Sequence, residues 1–267
     1  MEGSSKSSST FHLSSDDDHK KWLEIQDSLK RKLITEDDYN WNLGESEEEE
    51  ESSGVQVLKY IGGFDISFSK HHPSVACGTL VVLDFKTLDV VYEDSSIVTI
   101  DVPYVPGFLA FREAPVFLQL LKKMQDSSHP FYPQVLLVFV LLMIDGNGIL
   151  HPRGFGSACH LGVLADLPTI GVGKNLHHVD GLTSSRVREL LEAEDNFNVD
   201  FIPLVGDSGN TLGAASKGSF KPIFVSVGHR VSLASAVEVV KRTCKYRVPE
   251  PIRQADIISR DYLRKHH

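Results

Sequence analysis

An α/β fold, with a mixed sheet carrying helices on both faces, is the architecture this sequence predicts. Three observations lead there. Residues 57–69, 75–84 and 90–100 are β-branched runs of period two, broken only by His72-Pro73-Ser74 and Lys86-Thr87-Leu88-Asp89, which reads as three consecutive antiparallel strands. Residues 135–144 are apolar at every position, as a central strand buried on both faces would be. Beyond them strands alternate with helices, the pattern of crossovers that add parallel strands to a sheet.

The elements follow in chain order. Residues 1–18 are Ser-rich, end in three Asp and offer almost nothing to pack, so they are expected to be disordered. Trp22, Ile25, Leu29 and Leu33 then fall at helical spacing, predicting a short amphipathic helix over 19–33. The acidic run 45–53 separates that helix from the rest, so the chain divides into a tail (1–54) and one compact domain (55–267). After the three strands, Phe108, Phe111, Phe117, Leu118 and Leu121 predict a helix over 108–125. A Gly-rich turn follows the apolar run, then a helix near 157–165 and a strand over 169–172. A further strand over 224–228, a helix over 232–243 and a C-terminal helix after Pro249 and Pro251 complete the domain.

Residues 1–54 hold 15 of the 36 acids and 6 of the 27 bases, so their net charge of −9 equals that of the whole chain. The acidic balance therefore describes the tail, and the domain is neutral. Within it Lys241, Arg242, Lys245, Arg247, Arg253, Arg260, Arg264 and Lys265 crowd the C-terminus, either as a phosphate-facing stripe or as a solvated helical face. Three widely spaced cysteines, with no CxxC, fit a reducing compartment. The N-terminus lacks an apolar signal region, and no apolar run is long enough to span a bilayer. An intracellular monomer without a membrane is expected, in the nucleus or nucleolus or the cytoplasm.

The densest segment is VPYVPGFLAFREAP, residues 102–115. Pro103 and Pro106 each fix φ and remove a donor, so Tyr104 and Val105 should sit on a stiff protruding turn. Glu113 follows in the first turns of the next helix. Asp65, in GGFDISF, has apolar strand neighbours and is costly to desolvate unless a cation or donors meet it. Asp145 ends the apolar run in Ile144-Asp145-Gly146-Asn147-Gly148, where α/β sheets usually bind ligands. If those two strands are neighbours, Asp65 and Asp145 share a face that Glu113 can reach. Hard oxygen donors without thiolates favour Mg²⁺ or Mn²⁺. Asp256 is a fourth candidate ligand, or a first-turn acid complementing a helix dipole. His151 and Lys174 lie at the ends of core elements on the same rim, as phosphate contacts or proton-transfer groups, and His229 is a weaker candidate of that kind. Asp65-Ile66-Ser67 also invites comparison with the phosphate loop of an actin or sugar-kinase-type ATPase. That loop wants Gly where Ser67 stands.

At these residues the chain closely resembles the endonuclease V family. The resemblance runs through GGFDISF, YEDSSIVTIDVPYVPGFLAFRE, DGNGILHPRGFGSACHLGVLADLPTIGVGK, SVGHR and PEPIRQAD, roughly residues 55–264. It implies a ribonuclease H-like catalytic domain that cuts single- or double-stranded RNA or DNA at the second phosphodiester 3′ of inosine, leaving 3′-OH and 5′-phosphate. The family's metal-binding acids fall on Asp65, Glu113 and Asp145, and its active-site His and Lys on His151 and Lys174. Its wedge falls on Pro103, Tyr104, Val105 and Pro106, and its pocket for the unstacked base around Gly107, Leu109, Gly146 and Gly171. In two places the chain departs from the family. Its run before Asp145-Gly146 is several residues longer, and Asn175 stands where a second basic residue is common. A slip of one residue in the longer strand would turn Asp145 away from Asp65, leaving an inosine-binding protein with impaired cleavage.

Overall fold

The computed structural model describes residues 16–44, 56–131, 140–193, 199–217 and 221–267. Among them are ten strands: β1 (Trp41–Asn42), β2 (Gln56–Val57), β3 (Tyr60–Phe68), β4 (Val75–Asp84), β5 (Val90–Thr99), β6 (Val140–Asp145), β7 (Thr169–Gly173), β8 (Phe201–Val205), β9 (Thr211–Ser216) and β10 (Phe224–His229). The six helices are α1 (Asp16–Lys30), α2 (Leu109–Asp126), α3 (Ser157–Ala165), α4 (Ser184–Glu192), α5 (Leu233–Thr243) and α6 (Glu250–His266).

Eight strands form one mixed sheet in the order β5-β4-β3-β6-β7-β10-β9-β8. The antiparallel meander β3-β4-β5 and the parallel strands β6 and β7 beside it are as the sequence predicts, and form the ribonuclease H-like arrangement. Parallel pairing then stops. β10 lies antiparallel to β7, and β9 and β8 continue antiparallel to the edge. Side-chain alternation on the central strands feeds two cores. Ile61, Leu141, Met143, Ile170 and Val172 pack under α5 and α6, whereas Phe64, Leu142 and Ile144 pack under α2 and α3. Gly63 lets α6 lie close on β3, because a methyl there would stand 2.2 Å from the Pro251 carbonyl oxygen.

The register of β3 against β6 decides the geometry of the acids. Phe64 pairs with Ile144, so Asp65 and Asp145 come next, side by side. By alternation both leave the sheet on the α6 face, with Ile61 and Met143. The longer apolar run does not displace Asp145. Its described strand begins at Val140, and 135–139 lie outside the described residues.

The expected boundary near residue 55 does not separate two parts of the structure. Helix α1 lies on α3, Trp22 stacks on Phe111 with ring centroids 5.1 Å apart, Trp41 is buried, and β1 pairs with β2. Of the stripe expected on this amphipathic helix, Trp22, Leu29 and Leu33 pack against the domain, whereas Ile25 is exposed and Gln26 is buried instead. Of the stretch 1–18 expected to be disordered, residues 16–18 instead form the first turn of α1, and 1–15 lie outside the described residues, as does the acidic run 45–53. Among the described residues no helix is long and apolar enough to cross a membrane. Cys77, Cys159 and Cys244 are free thiols.

Candidate active site

Carboxylates from three other elements, Glu113 of α2, Asp145 of β6 and Asp256 of α6, lie within electrostatic reach of Asp65 on β3, beside the end of β6. Asp65 is buried, and its Oδ2 accepts from the Ser259 hydroxyl of α6 at 3.0 Å. Ser259 in turn lies 2.7 Å from the Ser67 hydroxyl. Burial, then the charges of Asp145 and Asp256, push the Asp65 carboxyl up to about 6, against the Ser259 hydrogen bond and the Lys174 charge. Glu113 reaches the same point from the first turns of α2. Burial, then Asp145 and Asp65, push it up to about 8, and the Arg112 charge opposes this only in part. Asp145 holds the Lys174 ammonium at 2.5 Å. Asp256, one helical turn before Ser259, pairs with Arg260 at 2.6 Å.

This donor set suits a hard divalent cation. It is all oxygen, and the neighbouring carboxylates raise the proton affinity of Asp65 and Glu113, so negative charge is concentrated here and is met by Lys174 at Asp145 and Arg260 at Asp256. The cluster is open: among the described residues no three His, Cys, Asp or Glu side chains already close around one point.

His151 is buried beside Gly107 and His177. Burial, then the charges of His177, Arg153 and Lys30, lower its pKa to about 4, so the ring is neutral at pH 7. Its Nδ1 accepts from the Arg153 backbone N–H at 3.3 Å, which places the proton on Nε2. That nitrogen faces Gly107, about 4.0 Å from where a Cβ on Gly107 would stand. Gly107 has φ +83°, a conformation that favours glycine. The turn before it is as expected. Pro103, Tyr104 and Pro106 are exposed, Tyr104 by 60%, and Val105 is half-buried with its carbonyl accepting from Phe108 N at 3.0 Å. Leu109, the first residue of α2, is half-buried beside them.

Other candidates are placed differently. Gly146 abuts Ser157 at the start of α3. Gly171 does not line an open pocket: a methyl on it would stand 2.3 Å from Gly148 N, so its role is to let the 146–148 turn lie on β7. His229 is remote from the acids. It pairs with Thr169 at the start of β7, whereas Asp145 pairs with Val172, three residues along, or roughly 10 Å. Buried there, its Nδ1 accepts from Ile34 N at 3.2 Å, fastening the N-terminal segment. The basic C-terminal stripe is largely spent on the protein itself. Lys241 pairs with Asp200, Arg242 with Glu238, Arg253 with Glu250, and Arg264 and Lys265 with Asp261. Lys245 donates to the Thr87 carbonyl, and Arg247 to those of Lys221, Pro222 and Lys174.

Basic residues gather elsewhere. A cavity of about 560 Å³ opens beside Lys174 and Asn175, with Arg188, Lys217 and Lys221 on its walls and Val187, Leu191 and Phe224 among its apolar lining. Sequence reasoning missed Arg188, Ser259 and Gln26. Only Ser259 carried a legible signal, its i+3 spacing from Asp256.

The endonuclease V family model matches residues 42–257, most of the chain and all of the four-acid site. The chain belongs to the endonuclease V family. Endonuclease V of Homo sapiens is 45% identical over 252 residues, covering 91% of this chain and 83% of the human protein. That of Mus musculus is 46% identical over 251 residues, covering 91% and 69%. Among solved structures, the catalytic domain of human endonuclease V superposes with a TM-score of 0.83 at 41% identity, covering 94% of this chain and 98% of that one. Ciona intestinalis endonuclease V, in complex with a 23mer DNA containing an inosine followed by a ribo-adenosine, matches with a TM-score of 0.83 at 32% identity, covering 95% and 100%. An endonuclease V family member of this similarity is a nuclease, and the ATPase comparison is set aside.

Proposed function

We propose that this nuclease is a Mg²⁺-dependent endonuclease that hydrolyses the second phosphodiester bond 3′ of inosine or deoxyinosine, in RNA or DNA, leaving 3′-OH and 5′-phosphate. The observation that carries it is the convergence of Asp65, Glu113 and Asp145, with Asp256 behind, on a chain of this family. The Ciona relative bound to inosine-containing DNA supports the substrate class. Mn²⁺ satisfies the same donors.

Asp65, Glu113 and Asp145 would hold the cation, with Asp256 adding negative charge or a water-mediated contact. When bound, a divalent ion in such a site polarises the phosphodiester and lowers the pKa of an attacking water. Lys174 neutralises Asp145 and stands ready to meet the negative phosphate. His151 is a neutral donor at pH 7, its Nε2–H aimed past Gly107 at a base or a phosphate oxygen. Tyr104, framed by Pro103, Val105 and Pro106, fills the gap left by an unstacked base, offsetting an unstacking cost of a few kcal/mol. The base itself is received between Gly107, Leu109 and Gly146, with Gly171 supporting from below.

What supports cleavage over an inosine-binding protein of impaired activity is the β3–β6 register, which keeps Asp145 beside Asp65 despite the longer run. The test is direct. An end-labelled strand with a single inosine, incubated with the protein and Mg²⁺, is expected to give one product with a 5′-phosphate. A gel shift without product would favour the binding-only alternative, and neither shift nor product, in RNA and DNA alike, would reject both.

A further inference from the structure

Gln26 on α1 is 1% exposed, and it lies outside residues 42–257 that the family model matches. Its Nε2 donates to the Gly107 carbonyl at 3.2 Å and to the Phe155 carbonyl at 2.9 Å, and its Oε1 accepts from Arg153 Nε. Two carbonyls need a donor and the guanidinium needs an acceptor, so only one orientation of the amide satisfies all three. The two carbonyls belong to different walls of the site. Gly107 closes the proline turn that carries Tyr104, whereas Phe155 ends the stretch that carries His151.

We propose that Gln26 is a positioning residue for the base pocket, tying the Gly107 wall to the His151 wall so that the gap between them keeps one width. The proposal rests on the inosine-cutting reading above. Helix α1 is well anchored for this task. Trp22 stacks on Phe111, His19 meets Phe108 edge-on at 4.8 Å, and Asp27 pairs with Arg153 at 2.5 Å. The side chain is chemically hard to replace. Glu keeps the acceptor but loses both donors, Lys keeps donors but loses the acceptor, and Met, of similar shape, loses all three. A buried carbonyl that loses its partner seeks another, and here the one that moves first is Gly107, whose φ of +83° gives it freedom to swing.

The experiment compares wild type with Gln26→Met on strands identical except for inosine or guanosine at one position. It reads kcat, KM, the thermal midpoint and the Mg²⁺ activation curve. A wall displaced by an ångström costs on the order of 10²-fold, so kcat/KM on inosine should fall at least about tenfold. The preference for inosine over guanosine should narrow with it, while the Mg²⁺ curve stays in place because no acid has moved. Folded Gln26→Met that retains both kcat/KM and preference within about twofold would overturn the inference. So would a loss equal on both strands that tracks the fraction of folded protein. If Gln26→Met does not fold, Arg153→Met removes the third bond together with the Asp27 ion pair while leaving both carbonyl bonds, and should narrow the preference in the same direction by less. An unchanged preference in that variant overturns the inference. Wild type that leaves inosine uncut overturns the nuclease reading itself, and this inference with it.

Discussion

Replacing Glu113 by Gln should stabilise the metal-free protein while abolishing its activity. The Glu113 carboxyl is enclosed, sits against two other acids, and is raised from an ordinary 4.5 to about 8. A carboxyl whose folded pKa is raised costs nothing at pH below the unfolded value, where both states are protonated. The cost grows as pH climbs from 4.5 towards 8, and is constant above that. At pH 7 the 2.5 units of pH above the ordinary 4.5 correspond to about 3 kcal/mol at 1.36 kcal/mol per unit, as an upper figure. Allowing for relaxation around the charge, a gain of about 1–3 kcal/mol is expected, or roughly 3–10 °C in midpoint for a domain of this size. The assay is thermal unfolding by circular dichroism, in EDTA, from pH 4.5 to 8.5, for both proteins. The gap should open with rising pH and flatten near pH 8. Adding Mg²⁺ should narrow it, because the cation stabilises the wild type by mass action and the variant less. A gap independent of pH, or a variant less stable than wild type at pH 8, would refute the reasoning.

Other perturbations have equally definite outcomes. Gly63→Ala drives a methyl into the Pro251 carbonyl at 2.2 Å, so it should cost at least about 1–3 kcal/mol by overpacking, read as a lowered unfolding midpoint. The lowered pKa of His151 means that the unfolded chain binds a proton below pH 6.5 that the folded one refuses until about pH 4. Stability should therefore decline across that window by up to about 3 kcal/mol, and His151→Gln should remove that part of the slope. Arg188→Glu, on the wall of the cavity beside Lys174, should weaken strand binding and reduce the slope of log K against log salt by about one or more, with the Mg²⁺ curve unchanged.

Much of this architecture could be read from local pattern. The helix at 157–165 and the strand at 75–84 have the bounds expected of them, because each is a run of apolar and small residues flanked by Gly, Pro and Asp turn residues. The hairpin β8–β9 escaped notice. β8 is FIPLV at the sheet edge, with Pro203 exposed in its middle, and Pro weakens any strand pattern it interrupts. The antiparallel direction of β10 was equally hidden, since its own residues do not record which way the preceding connection turns. At the site, Asp65, Glu113 and Asp145 were legible because each sits at a chemically unusual place: inside an apolar strand, behind a proline turn, at a strand end. Gln26 was not. Its partners at Gly107 and Phe155 are backbone carbonyls far along the chain, and no side-chain pattern reports a carbonyl's direction. The basic stripe stayed open between two readings in part for the same reason: Lys241, Lys245 and Arg247 meet partners that only folding brings near, whereas Arg253, Arg260, Arg264 and Lys265 pair within α6.

The claim on which the rest depends is that Asp65, Glu113 and Asp145 hold one shared cation site against the strand. Crystals grown with Mn²⁺ and an inosine-containing strand test it through the position of the anomalous peak. The account predicts a peak at bonding distance from all three carboxylates and from a phosphate oxygen, with Lys174 drawn off Asp145. A peak away from these acids, or the strand seated with the Lys174–Asp145 pair intact and no ion between Asp65 and Asp145, would contradict it.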